Sequence, residues 1–223
     1  MERGLPRTGL TGSELIAWLS RTKLVEGPAQ APSFAEGLAR WLGWTEAIAL
    51  SGALHAPAPV RGGSAAERVA RGVEPLAAVE QAMARVRASL WRTLDRDMPA
   101  DAADFAPYRR HVGALQRAME DAIGPMRAQV RATLSQGTPE LARLAAIDAV
   151  MEKVLGPHER TLLAMMPTLL ERHFVHLHSA MEAPGAAAQA FRQDLRSVLQ
   201  AELDLRLQPV LGLIEALRAT QQG

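Results

Sequence analysis

Cysteine is absent from this chain, which removes disulfides, thiolate nucleophiles and cysteine-type zinc sites together and suits a reducing compartment. Lysine is nearly missing as well. Lys23 and Lys153 are the only two, so the basic chemistry is almost wholly arginine, the side chain suited to bidentate phosphate or carboxylate contacts. Aromatic residues are few, with four Trp and one Tyr among 223 residues, and this makes the spacing of Trp41 and Trp44 conspicuous. No apolar run approaches the roughly 20 residues that a spanning helix needs; TLLAMMPTLL is short and closes on Glu171 and Arg172. The start, MERGLPRTGL, sets an acid beside its first base and carries no apolar run, unlike a signal peptide. These absences point to a soluble, cytoplasmic protein of one elongated or two small domains.

What is present reads as helix throughout. Thr11-x-x-Glu14 and Ser33-x-x-Glu36 are capping-box patterns ahead of apolar runs, and Gly27-Pro28 ends the first. HAPAPVRGGSA, residues 55–65, is rich in Pro and Gly and reads as a linker. The expected organisation is all-α: an N-terminal helical module over 1–54 with the paired Trp, the linker, and an elongated helical bundle over 66–223. From Ser64 to about Asp97 one long helix is expected, because Val69, Leu76, Val79, Met83, Val86, Leu90 and Leu94 share a stripe at the 3.6-residue period. Phe105, Tyr108, Val112, Leu115, Met119, Ile123, Met126 and Val130 form a second stripe, with Pro125 opposite. The two should pair as an antiparallel hairpin. Helices are then expected over Leu141–Leu155, from His158 to Met181 after a Gly156-Pro157 break, and over Ala187–Ala219.

Catalytic patterns fail in turn. A P-loop needs Gly-Lys-Ser/Thr, yet Lys23 follows Thr22 and Lys153 follows Glu152. His158-Glu159 begins like a zincin helix, but Leu162 occupies the second histidine's place. Asp95, Asp97, Asp101 and Asp104 resemble a calcium loop, although Ala100 replaces its turn glycine and Ala106 its bidentate glutamate. His173 and His176 share a helical face while His178 points elsewhere, and no carboxylate or cysteine on that face completes a metal set. No metal, cofactor or catalytic residue is assigned, and the expectation is a protein that is not an enzyme.

Charge is distributed unevenly about a formal net of +1. Residues 61–92 hold six Arg against three Glu, whereas 132–223 hold eight bases against ten acids. On the long helix Arg71, Arg85, Arg92 and Arg96 fall within about 60° of one another at 100° per residue, opposite the apolar stripe. Ala78, Ala82 and Ser89 lie between them. Arg110 and Arg117 extend this ridge if the hairpin forms. An arginine ridge of this kind can follow a phosphate backbone. It is also what an ordinary solvated helix face looks like, since Glu67 stands four residues before Arg71.

In SFAEGLARWLGWTEAIALSGAL, residues 33–54, the positions Phe34, Leu38, Trp41, Leu42 and Ile48 follow one apolar face, which places Trp41 in the core. Trp44 falls at the edge of that face, placed either to pack on the long helix or to serve a partner interface, and is the candidate partner-interface residue. Only Arg40 supplies the flanking charge that base stacking calls for.

Together with RTGLTGSELIAWL and LARLAAIDAVMEKVLGPHERTLLAMMPTLLERHF, this segment resembles an uncharacterised bacterial family of unknown function. Its members are similar to an accessory component of type III Zorya anti-phage defence, encoded beside MotA/TolQ-like and OmpA-like proteins of a proton-driven membrane motor. The resemblance implies a cytoplasmic defence factor that acts with the motor complex and with a second accessory protein, and it carries no catalytic motif.

Three functions are weighed. The first is a non-catalytic defence subunit that associates with a partner protein and binds DNA through the arginine ridge. The second is a pure protein–protein adaptor of the motor system. A metal-dependent nuclease is third, because Glu152-Lys153 lacks the Glu-x-Lys spacing of many nucleases. The last helix spreads Phe191, Leu195, Val198, Leu199, Leu203, Leu205, Leu207, Val210, Leu211, Leu213, Ile214 and Leu217 widely around its circumference, which predicts a homodimer or hetero-oligomer covering it.

Overall fold

Six helices make up the described part of the chain: α1 (Trp44–His55), α2 (Leu76–Arg96), α3 (Ala106–Ser135), α4 (Pro139–Leu163), α5 (Met166–Ala180) and α6 (Pro184–Gln222). The computed structural model describes residues 41–55, 76–96, 98–99, 104–181 and 183–222, together with Leu15, Trp18, Leu19 and Thr22. Among the described residues there is no strand. The expected caps at Thr11 and Ser33, the linker from 56 onward, the start of the long helix and Arg71 lie outside the described residues.

The α2–α3 hairpin forms as the stripes predict. Val79, Met83, Leu90 and Leu94 of α2 are buried, and so is every member of the α3 stripe from Phe105 to Val130. Pro125 sits on the exposed side of α3, where a missing N–H and a slight bend are tolerated. α4 opens at Thr138, whose hydroxyl accepts from the Leu141 N–H at 3.4 Å.

The last helix is the axis of the bundle. α6 packs on α2, α3, α4 and α5, and its 39 residues extend for about 58 Å at ~1.5 Å per residue. Cross-helix pairs give the directions. Glu80, Arg87 and Asp95 of α2 meet Arg218, Asp204 and Arg196 of α6, so those two helices run antiparallel. Gln116 and Glu120 of α3 meet Glu202 and Arg206, so α3 and α6 run parallel. Phe191, Leu195, Val198, Leu199, Leu203, Leu207, Val210, Leu213 and Ile214 are all buried. The wide apolar spread is thus absorbed by four neighbours within the chain, and the reason for expecting a dimer to cover it is removed. Leu211 remains 42% exposed.

One end of the bundle is an aromatic cluster. Phe191 stands edge-on to Tyr108 and Phe174 at ring separations of 5.0 and 5.1 Å, and Phe105 lies 6.0 Å from Phe191, within the range of favourable offset and edge contacts. These rings anchor the first turns of α3.

Three expectations need correction. Gly156-Pro157 does not break the helix. Pro157 is exposed and α4 continues to Leu163, with the Thr161 hydroxyl donating to the Pro157 carbonyl at 2.9 Å. The interruption falls at Ala164 and Met165, just before Pro167 in the first turn of α5, a position where the missing N–H costs no helical hydrogen bond. Trp41 is not core. Leu42 and Gly43 are non-helical, so the apolar period is reset there; Trp41 is 40% exposed and stacks on His158 at 4.9 Å, while Ile48 is 56% exposed. The final helix begins at Pro184, three residues before the expected Ala187.

Candidate nucleic-acid interface

Two groups of arginine stand out in this bundle, apart from Arg160 and Arg172, which are exposed on α4 and α5. Those at the seams between helices have carboxylate partners. Arg87 meets Asp204, Arg109 meets Glu171, Arg196 meets Asp95, and Arg218 meets Glu80. Arg127 and Arg131 of α3 share Asp148 and Glu152 of α4. Arg131 is held above the ordinary guanidinium range, because burial works against its charge but Asp148 and Glu152 together outweigh it.

The second group faces outward from the hairpin. Arg85, Arg92, Arg96, Arg110 and Arg117 are exposed, and among the described residues none has a carboxylate partner. Arg92 Nε donates only to the Ala88 carbonyl of its own helix, at 3.2 Å. Asp95, the acid beside Arg96, is drawn away to Arg196 on α6 at 2.8 Å. At 100° per residue Arg85, Arg92 and Arg96 span about 40° of α2, and Arg110 and Arg117 about 20° of α3; both sets lie on the side away from the buried stripes.

The two rows meet across a recess of about 290 Å³. Thr93 and Pro99 line it from the end of α2, and Pro107, Arg110, His111 and Ala114 from the start of α3. Arg110 is the arginine that lines it, and Arg92 and Arg96 are exposed on the turns of α2 on either side of Thr93. Phe105 and Tyr108 are buried and hold this end of α3 through the aromatic cluster. The structure therefore brings five of the six candidate arginines to one face, and Arg71 lies outside the described residues. The recess has no sequence signature, because it arises from two loop-end prolines and an alanine brought together only by the hairpin.

Elsewhere the polar chemistry is inward. Glu202 of α6 is fully buried. Its carboxylate accepts from Gln116 Nε2 at 3.1 Å and from Arg206 Nε at 3.1 Å. Burial raises its pKa, against the pull of Arg206 and Gln116. A signal was available in the sequence: Glu202 occupies the slot one heptad beyond Leu195, where an apolar residue belongs. The three histidines do not converge. His173 is buried, with Nε2 at 2.7 Å from Asp194 and its ring edge-on to Trp18 at 5.4 Å. His176 is exposed, and His178 Nδ1 lies 2.9 Å from the Phe174 carbonyl. No group of metal-ligating side chains occurs among the described residues, and no described helix is long and apolar enough to cross a membrane.

Trp44, the predicted partner residue, is 83% exposed at the start of α1. α1 lies along α4, where Glu46 pairs with Lys153 at 3.5 Å, and has no buried residue of its own. Leu162, one turn beyond His158, is 60% exposed.

A family described as "Protein of unknown function (DUF3348)" matches residues 1–219. No curated protein and no solved structure matches the chain.

Proposed function

We propose that the chain, which belongs to this family of unknown function across nearly its whole length, is a non-catalytic subunit that holds DNA through the outer face of the α2–α3 hairpin. The observation that carries this reading is the density of positive charge on one surface: five exposed arginines share the outward face of the α2–α3 hairpin and none has a carboxylate partner among the described residues, whereas Arg87, Arg127, Arg196 and Arg218 at the seams are neutralised. Guanidinium groups in this state release counterions when they meet phosphates, giving affinity with little dependence on base sequence. The resemblance of the quoted segments to an accessory component of type III Zorya defence supplies the setting, a cytoplasmic anti-phage factor acting with a second accessory protein and a proton-driven motor complex.

Fluorescence anisotropy with a short mixed-sequence duplex tests the reading. Wild type should bind with a log–log salt slope of about 0.9 per phosphate neutralised. Arg85→Glu/Arg92→Glu/Arg96→Glu should abolish binding while its helical circular dichroism is unchanged. Arg160→Glu/Arg172→Glu, which reverses two exposed arginines on α4 and α5, should bind nearly as wild type. Equal retention by the triple variant overturns the reading.

A second reading, the protein adaptor, is favoured by the exposed Trp44, since tryptophan so placed is enriched at interface hot spots. It predicts that Trp44→Ala loses the partner protein and leaves DNA binding intact.

A further inference from the structure

We infer that the recess between the two arginine rows receives a single unpaired nucleobase, so that the face prefers DNA with an extruded nucleotide over an intact duplex. The inference rests on the DNA-binding reading and adds the kind of DNA. The walls decide the chemistry. Pro99, Pro107 and Ala114 give the recess apolar flanks, while Thr93, His111 and Arg110 give it a polar edge. A phosphate alone is a poor occupant of such flanks, because burying an anion against apolar surface is unfavourable. A base fits both parts, with an apolar face to lie against proline and alanine and a hydrogen-bonding edge to meet the polar side. The volume of about 290 Å³ lies at the lower end of the ~300–1,000 Å³ span of small-molecule sites, the scale of one planar ring system and not of a larger ligand.

Position supports the same occupant. Arg110 lines the recess, and Arg92 and Arg96 are exposed on the turns of α2 on either side of Thr93, so phosphates flanking an extruded nucleotide would meet positive charge. The buried residues of the lining are His111 and Leu115 of α3. Among the described residues no exposed aromatic side chain stands along the rows to act as a wedge and open a base pair. The nucleotide must therefore arrive already unpaired, as in a bulge, where extrusion is least costly.

The test uses the full chain and two duplexes of one sequence, one intact and one with a single 2-aminopurine bulge. Wild type should bind the bulged duplex about tenfold more tightly, the increment expected for burying one base, with a change in 2-aminopurine fluorescence that saturates with binding. Ala114→Leu/Thr93→Leu narrows the recess from both walls with non-aromatic bulk. It should bind the intact duplex as wild type does and lose the bulge preference. Equal affinity of wild type for the two duplexes, or a preference that survives in the double variant, overturns this inference and leaves the DNA-binding reading standing. Failure to bind either duplex removes both.

Discussion

Arg127 grips Asp148 with two parallel hydrogen bonds, Nε to Oδ2 at 2.9 Å and Nη2 to Oδ1 at 2.6 Å, across the seam between α3 and α4. Both side chains are nearly out of water, at 14% and 11% exposure, and Arg131 joins the same carboxylate at 3.0 Å. Removing one member of such a network strands the others, which is far more damaging than never having had the network. Asp148→Ala should lower unfolding free energy by about 3 kcal/mol. Urea midpoints measure this. Asp148→Ala combined with Arg127→Met should lose less than the sum of the two single variants, and strict additivity would show that the pair is not coupled.

Glu202 gives a pH dependence of definite sign. Burial holds its folded-state pKa above the ordinary 4.5. The folded protein then binds the proton more tightly than the unfolded chain. The stability this contributes is fully present below the unfolded value and is lost as pH rises through the folded one. Wild type should accordingly lose stability relative to Glu202→Gln as pH climbs from 4.5, and the difference should level off above the raised value. Denaturant unfolding of both proteins over a pH series checks this, and parallel curves would refute it.

Two tryptophans should behave oppositely. Trp18 is 5% exposed against His173, and Trp44 is 83% exposed. Trp18→Ala should cost about 3–5 kcal/mol by opening a large cavity, whereas Trp44→Ala should change stability by less than about 0.5 kcal/mol. Thermal or denaturant unfolding separates the two directly, and a comparable loss from both would mean that α1 is held by Trp44 after all.

How much of this was readable from residues alone depended on how local the cause was. The α3 stripe was fully legible, because eight apolar positions at one period leave a helix a single way to turn its face inward. Gly156-Pro157 misled because a proline on the solvent side of a packed helix is tolerated, and packing of α4 on α3 overrides the local signal. Trp41 misled because Leu42 and Gly43 reset the helical phase. The arginine face was half legible: its periodicity was visible, but which arginines would be neutralised depended on carboxylates tens of residues away, such as Asp204 for Arg87 and Glu171 for Arg109. The recess was not legible at all, since no local pattern encodes two helix ends meeting.

The place of α6 at the axis bears on how the bundle is made during translation. α2, α3, α4 and α5 each bury part of their apolar surface on α6, yet α6 is the last of the six helices to leave the ribosome. Until Gln222 has emerged, the stripes of the earlier helices have only one another to pack against, and the slot that Phe191, Leu199 and Leu207 will fill is vacant. The nascent chain must pass through a stage with long apolar seams open to chaperones, and consolidation of the bundle waits on the emergence of α6.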